Sequence, residues 1–175
     1  MSNRLSKPLY YLSIAQSVAS RSTCINKKWG AVIVKGDEII STGYNGAPRG
    51  RKNCIDIGSC YRLVNNIPRG TQYESCRSLH SEANAIISAA RKDMINGTMY
   101  LYGWDVVNQC LVEHADSCMM CKRMIINAGI IEVVVADVNG IAKDPEVGYG
   151  YRIIKVSDWV KDDDLKTVNE GKAGY

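Results

Sequence analysis

Apolar positions in the first part of the chain follow two different periods. Between residues 8 and 20 the apolar side chains recur every three or four positions, which predicts an amphipathic helix. Between residues 30 and 46, two short runs rich in β-branched residues flank the dipeptide Gly36-Asp37, which predicts a β-hairpin. The chain is therefore expected to begin with a helix followed by a strand pair.

The later part of the chain alternates helical and extended patterns. Helices are predicted over residues 80–92, 118–129 and 157–168, and strands over residues 98–103, 130–136 and 152–156. The run IIEVVVA at 130–136 is continuously apolar, as is typical of a strand buried in a parallel or mixed sheet. Alternating helices and strands predict an α/β layered domain.

One long segment has no clear period. Residues 44–79 contain glycine, proline, arginine and three of the seven cysteines. Such a stretch inside a compact domain is more often functional than idle. We expect a single domain over residues 1–175, with a cysteine-bearing insert at 53–79 and a C-terminal helix and tail at 157–175.

The composition is that of a soluble globular protein, with 46% hydrophobic and 23% charged residues. No signal peptide is predicted, because Ser13, Gln16 and Ser17 interrupt the apolar positions near the start. The apolar run at 130–136 is far shorter than the about 20 residues that span a bilayer. We expect a cytoplasmic protein without membrane contact, in the host cytoplasm if the source is viral.

The charge distribution favours a small ligand. The formal net charge is +4, and there is no concentrated basic tract beyond local clusters such as Lys27-Lys28 and residues 49–52. There is no basic stripe with interleaved aromatic residues of the kind that binds nucleic acid. The charge suits a phosphorylated small molecule at least as well as a polyanion.

The cysteines indicate a metal site. Their number is odd, and a reducing cytoplasm disfavours structural disulfides. Cys118 and Cys121 share one face at the start of a predicted helix, where a thiolate is favoured over a thiol. A catalytic zinc needs three protein ligands and one open position. His80, which begins another predicted helix, can supply the third.

Glu82 completes a recognisable pattern. The arrangement H-x-E followed by C-x-x-C is the signature of zinc-dependent nucleobase deaminases. In that chemistry zinc activates water for attack on C4 of cytosine, and the glutamate moves the protons. A lone C-x-x-C is more often structural or redox-active, but thioredoxin-like motifs have no need of an upstream H-x-E that opens a helix.

Further motifs extend this match. They are RSTC (21–24), GAVIV (30–34), ISTGYNGAPRG (40–50), CRSLHSEANAII (76–87), TMYLYG (98–103) and CMMCKRMIINAGI (118–130). In this order they resemble the deoxycytidylate (dCMP) deaminase family of the cytidine-deaminase superfamily. The resemblance implies a three-layer α/β/α fold with a five-stranded mixed sheet. It also implies hydrolysis of dCMP to dUMP for thymidylate synthesis, with zinc on His80, Cys118 and Cys121 and proton transfer by Glu82.

Three positions depart from the family pattern. Ser81 stands where the family has alanine, and its backbone N–H is still expected to bind the cytosine carbonyl. Ser117 stands where the family has proline, and we expect it to retain the ability to cap the following helix. Trp29 replaces a small apolar residue and is expected to alter the pocket wall.

The resemblance also implies substrate contacts. Asn45, in GYNGAPRG, corresponds to the family's contact with the substrate sugar, although Asn-Gly alone more commonly marks a turn. For the phosphate we consider Lys28, Arg49 and Arg77, because each flanks a site motif. Each of them is equally compatible with a solvated surface charge.

The remaining cysteines predict a second, structural zinc. Some microbial and viral family members hold one at the positions of Cys24 and Cys54, and here Cys60 and Cys76 would complete a four-thiolate site. The alternative is four buried free thiols. Cys110 is interpreted as an ordinary thiol.

Partners and competing functions follow from the same resemblance. Family members are typically homohexamers activated by dCTP and inhibited by dTTP. Deamination of dCTP is the nearest alternative, and a tRNA or other nucleic-acid base deaminase is a more distant one. A non-catalytic zinc module is a third class, which the presence of Glu82 argues against.

Overall fold

The computed structural model describes residues 4–161, which form seven α-helices, one 3-10 helix (Tyr73–Ser75) and seven strands. The helices are α1 (Lys7–Ala19), α2 (Cys54–Ile57), α3 (Tyr61–Val64), α4 (Ser81–Ile87), α5 (Arg91–Met94), α6 (Met119–Ala128) and α7 (Val156–Lys161). The strands are β1 (Lys27–Lys35), β2 (Glu38–Tyr44), β3 (Thr98–Asp105), β4 (Cys110–Leu111), β5 (Glu132–Asp137), β6 (Ile141–Asp144) and β7 (Tyr149–Lys155). None of these helices is long and apolar enough to cross a membrane.

The strands form one mixed sheet in the order β2-β1-β3-β5-β7-β6, with β4 paired to β3. Strands β3 and β5 are parallel, with Thr98 opposite Glu132, and the other neighbours are antiparallel. The crossover between the parallel strands contains α6, as such a connection requires. The two central strands therefore hold α6 firmly against one face of the sheet.

Alternate side chains of the strands form two cores. On one face Ile33 and Leu101 pack in a cluster with Ala85 of α4 and Ile125 of α6. On the other face α1 supplies apolar side chains to a second cluster that includes Val32. The period of two along β1 thus places a helical layer on each side, and the predicted three-layer α/β/α fold is confirmed.

The structure differs from the sequence-based expectation at several boundaries. The sheet has two more strands than the five expected, because the short β4 and β6 pair at the ends of longer strands. The predicted helix over 80–92 ends at Ile87, where the Ser88 hydroxyl donates to the Asn84 carbonyl and Ala90 is extended. Of the helix predicted over 157–168, the part beyond 161 lies outside the described residues.

The aperiodic segment contains only short helices, and its loops are held by side chains. Arg62 donates to the carbonyl oxygens of Pro68, Thr71 and Gln72 at 2.6–2.8 Å. Its guanidinium also lies 4.7 Å from the centre of the Tyr73 ring. One arginine therefore organises residues 68–73, a stretch with no sheet or long helix to order it.

Candidate metal centre

Three side chains from two helix N-termini form a metal-ligating group. His80 is the N-cap of α4, Cys118 is the N-cap of α6, and Cys121 lies in the first turn of α6. The His80 Nδ1 atom lies 3.4 Å from each of the two sulfurs. The three ligand atoms all lie within 4.8 Å of one another. The structure thus brings together the three residues that the sequence proposed as ligands.

The short helix α4 is fixed to the sheet at several points. Gly43 of β2 has no side chain, and a Cβ there would lie 2.3 Å from the Ala85 nitrogen and 2.4 Å from the Ser81 carbonyl oxygen. Ser41 donates to the Ala85 carbonyl at 2.8 Å, and Asn84 donates to the Tyr44 carbonyl at 2.7 Å. These contacts set the position of His80 at the start of α4.

The electrostatics of the pair of thiols fit a bound cation. A hydrogen bond from Cys121 lowers the pKa of the Cys118 thiol to about 4, against the opposing effect of burial and with help from His80. The same interaction, together with burial, raises the pKa of Cys121. Within the pair, Cys118 is thus the sulfur favoured as a thiolate, and a divalent metal would favour ionisation of both.

Glu82 lies beside the three ligands and is not a member of the metal-ligating group. Its side chain is buried, with 5% of its surface exposed, and the fully buried Ser81 hydroxyl donates to its Oε2 atom at 3.1 Å. A buried carboxylate next to a metal centre is suited to transferring protons. The proton-transfer role of Glu82 stays a prediction.

A cavity of about 320 Å³ opens over this group. His80, Ser81, Glu82 and Cys118 line it on the metal side. The other lining residues are Cys24, Asn26, Lys27, Trp29, Asn45, Cys60, Arg62, Leu63, Ile67, Arg69, Tyr73, Cys76, Ser78 and Asp116. The volume falls within the range of small-molecule sites. Seven of the lining residues lie between 60 and 76, and this part of the cavity wall, formed by the insert, is termed the roof.

Asn45 lines the cavity, but its side chain is largely engaged within the protein. Its Oδ1 atom accepts hydrogen bonds from the Ser22 hydroxyl at 2.6 Å and the Trp29 nitrogen at 2.8 Å. Its Nδ2 atom donates to the Lys27 carbonyl at 2.9 Å. Since an amide nitrogen has two hydrogens, one donor remains for a ligand.

The three arginine and lysine residues proposed for phosphate do not line this cavity. Lys28 lies on β1, Arg49 is exposed in the loop after β2, and Arg77 lines a second cavity. The cations that line the first cavity are Lys27, Arg62 and Arg69. The sequence did not single out either arginine, because their approach to the site depends on the fold of the aperiodic insert.

Two aromatic residues shape the cavity. Trp29, which the sequence proposed as part of the pocket wall, is among its lining residues. Tyr73 also lines it and contacts His80 edge to face, with the ring centres 4.8 Å apart at 86°. Tyr73 could not be identified from the sequence, because nothing in the segment Tyr73–Ser75 indicates a contact with a ligand of the metal.

The four cysteines proposed for a second zinc line a common cavity of about 250 Å³. They are Cys24, Cys54, Cys60 and Cys76, of which the first three are buried. Burial, with the neighbouring cysteines, raises the pKa of the Cys54 and Cys76 thiols. Within residues 4–161, however, only His80, Cys118 and Cys121 come together closely enough to form a ligand group.

The expectation that Ser117 caps α6 is wrong. The N-cap is Cys118, and the buried Ser117 hydroxyl has no hydrogen-bond partner among residues 4–161. The backbone N–H of Ser117 instead donates to the Asp116 carboxylate at 2.8 Å. The N-cap thus lies one position later than expected, and the Asp116 bond precedes the helix.

Comparisons with known proteins agree with this fold and ligand set, which are those of a zinc-binding deaminase domain. A family model described as the cytidine and deoxycytidylate deaminase zinc-binding region matches residues 5–137. The chain belongs to this family. Zinc is accordingly the metal that His80, Cys118 and Cys121 fit, since one imidazole and two thiolates are ligands that zinc prefers.

Individual relatives support the assignment. The chain is 36% identical to the deoxycytidylate deaminase of Mycobacterium phage D29 over 129 residues, covering 71% of this chain and 90% of that protein. It is 35% identical to the deoxycytidylate deaminase of Schizosaccharomyces pombe over 125 residues, covering 71% of this chain. The chain spans only 35% of the length of that fungal relative.

A solved structure shows the same fold. The dCMP deaminase of cyanophage S-TIM5, in complex with dCMP and dUMP, superposes with a TM-score of 0.50 over 74% of this chain and 82% of its own. The sequence identity over this alignment is 22%, so the likeness concerns the fold.

Proposed function

We propose that the protein hydrolyses dCMP to dUMP and ammonia. The observation that carries this proposal is the position of Glu82, buried in the cavity that His80 and Cys118 also line. A structural zinc site has no need of a carboxylate placed to move protons. The phage D29 and fungal relatives are deoxycytidylate deaminases, and their substrate supports the choice of dCMP.

In the proposed mechanism the chain's residues act on water and on the base. Zinc, when bound to His80, Cys118 and Cys121, supplies a Lewis acid that acidifies water. Glu82 accepts a proton from the water that adds to C4 of cytosine and delivers it to ring N3. Glu82 then takes the proton of the new C4 hydroxyl group and passes it to the amino group, so that the C4 carbonyl forms as the bond between C4 and nitrogen breaks and ammonia leaves.

The remaining groups orient the base and the sugar. The backbone N–H of Ser81 is proposed to donate to the cytosine carbonyl, and the free amide hydrogen of Asn45 to donate to the sugar. Both residues line the cavity, which supports these contacts. Tyr73 is proposed to hold the His80 ring in place by its edge contact.

Loss of the cytosine absorbance on addition of dCMP tests the proposal. We expect turnover by the zinc-loaded protein and a fall of about 10²- to 10⁴-fold in the Glu82→Gln variant, since amide nitrogen cannot transfer the proton. The variant must retain its zinc, because Glu82 is not proposed as a ligand. Absence of turnover by zinc-loaded wild-type protein would contradict the proposal.

Two alternative substrates are distinguished in the same assay. Replacing dCMP by dCTP tests the nearest alternative, and a single-stranded nucleic acid tests the more distant one. A cavity of about 320 Å³ lies within the range of small-molecule sites, which favours a mononucleotide.

Regulation and assembly are proposed on the family resemblance. These proposals are activation by dCTP, inhibition by dTTP, a homohexamer and a cytoplasmic role in the supply of dUMP for thymidylate synthesis. Addition of dCTP to the dCMP assay tests the activation directly, and sedimentation tests the oligomer.

A second zinc on Cys24, Cys54, Cys60 and Cys76 is also proposed. All four line one cavity, which supports it, but their sulfurs must approach each other to reach ligand distances. The site would tie the insert to the segment before β1.

A further inference from the structure

The roof of the cavity carries unpaired positive charge. Of the three cations that line the cavity, Lys27 lies 3.5 Å from the Asp105 carboxylate. Arg62 and Arg69 form no ion pair with any residue between 4 and 161. An arginine side chain remains charged at every physiological pH. Both arginines without an ion pair belong to the insert.

The two arginines differ in the donors that they leave for a ligand. Arg62 is half-buried and directs three hydrogen bonds at three backbone carbonyls of the loop at 68–72. Arg69 is exposed and donates one bond to the Glu113 carbonyl and one to the His114 carbonyl, both at 3.2 Å. Arginine has five N–H donors, so three of those of Arg69 remain available.

Arg69 connects the insert to a second segment of the chain, the loop between β4 and α6. Its guanidinium joins the insert to the loop that leads into α6, and Asp116 of that loop also lines the cavity. Asp116 is itself paired with Lys122 at 2.7 Å, so its charge is compensated. An anionic group bound to Arg69 would therefore not meet an unpaired Asp116 carboxylate.

We propose that Arg69 binds the anionic end of the substrate and determines the preference for a nucleotide over a nucleoside. Arg62 is a positioning residue that holds the loop carrying Arg69. The inference rests on the proposed function for the identity of the base. It replaces Lys28, Arg49 and Arg77 as phosphate contacts, since those three do not line the cavity.

Binding measurements on zinc-loaded Glu82→Gln protein test this inference without turnover. The affinities for dCMP and deoxycytidine are compared with and without the further change Arg69→Ala. We expect dCMP binding to weaken by about 10- to 100-fold, as loss of a charged hydrogen-bonded contact requires, and deoxycytidine binding to change by less than about twofold. Arg69→Lys, which retains the charge without the fork, is expected to give an intermediate loss.

Arg91→Ala is the matched control. Arg91 is an exposed arginine that also donates to a backbone carbonyl, that of Asn127 at 2.7 Å, and it lines neither cavity. Its removal is expected to leave both affinities unchanged. If Arg69→Ala weakened the affinities for dCMP and deoxycytidine equally, Arg69 would only stabilise the position of the insert. That result would overturn the inference.

An unchanged affinity for dCMP after Arg69→Ala would overturn the inference as well, and so would failure of the Glu82→Gln protein to bind dCMP measurably. A selective loss of dCMP affinity after Arg77→Ala, and not after Arg69→Ala, would also overturn it. The two proposals fail separately in these experiments. If protein with Glu82 intact does not deaminate dCMP, the proposed function fails. Selective, Arg69-dependent binding of dCMP would still support the role of Arg69.

Discussion

Ser81 and Glu82 illustrate how adjacent side chains divide the work at the site. The Ser81 hydroxyl orients Glu82 through one hydrogen bond of 3.1 Å, whereas its proposed contact with the base uses the backbone. We expect Ser81→Ala to lower kcat by only about 3- to 10-fold, the effect of one lost hydrogen bond. Steady-state kinetics with dCMP measure this. A loss as large as that in Glu82→Gln would show that the hydroxyl itself takes part in proton transfer.

Individual residues also show what sequence reasoning could reach. His80, Glu82, Cys118 and Cys121 carry their chemistry in their spacing, because each lies at a helix start that the pattern predicts. Arg69 does not, since it approaches the cavity through the path of an aperiodic insert. Motif spacing therefore indicated the metal side of the cavity but not its roof.

At the scale of elements, the position of α4 depends on the absence of a side chain in β2. A methyl group on Gly43 would overlap the α4 backbone at Ser81 and Ala85. We expect Gly43→Ala to lower the free energy of unfolding by about 1–3 kcal/mol and to displace His80 and Glu82. Chemical denaturation and zinc content measure the two effects. Thr42→Ala, on the exposed face of the same strand, is the control, and equal behaviour of the two variants would contradict this account.

The contact between α1 and the β1–β2 turn predicts a pH dependence of stability. The Tyr11 hydroxyl donates to the Asp37 carboxylate at 2.7 Å, and this bond raises the pKa of Tyr11 to about 12. In the unfolded chain the tyrosine ionises near pH 10, so its contribution is complete below that pH and is lost as the pH rises toward 12.

We therefore expect the stability of Tyr11→Phe to fall less steeply than that of wild type between about pH 10 and pH 12. Asp37 acts in the opposite range. Hydrogen bonds from Lys7 and Tyr11 lower its pKa, so its contribution is lost as the pH falls below the ordinary aspartate value. Chemical denaturation at a series of pH values measures the free energy of unfolding in both the alkaline and the acid range. Identical alkaline slopes for the two proteins would contradict the role of Tyr11.

Element prediction succeeded where one period dominates. The helix α1, the β1–β2 hairpin and α6 with Gly129 in the left-handed conformation agree with the apolar spacing of their segments. Strands β4 and β6 are too short to have a period of their own, and they form because longer strands offer edges to pair with. The break after Ile87 depends on a serine side-chain bond that competes with the helix.

For the whole molecule, the insert relates two regions that are distant in sequence. It lines the first cavity together with the metal ligands, and its Cys54, Cys60 and Cys76 line the second cavity together with Cys24. If those cysteines bind zinc, the purified protein is expected to contain about two zinc ions per chain. Metal analysis of wild type and Cys54→Ser measures this, with a fall to about one in the variant. A wild-type value near one would contradict the second site.

The central claim is that the His80, Cys118 and Cys121 group supports hydrolytic deamination. The most direct measurement follows dUMP and ammonia formed from dCMP by protein that is first stripped of metal and then given zinc. We predict no turnover by the stripped protein, restoration by zinc, and dUMP and ammonia in equal amounts. Failure of the zinc-restored, folded protein to form dUMP would contradict the account.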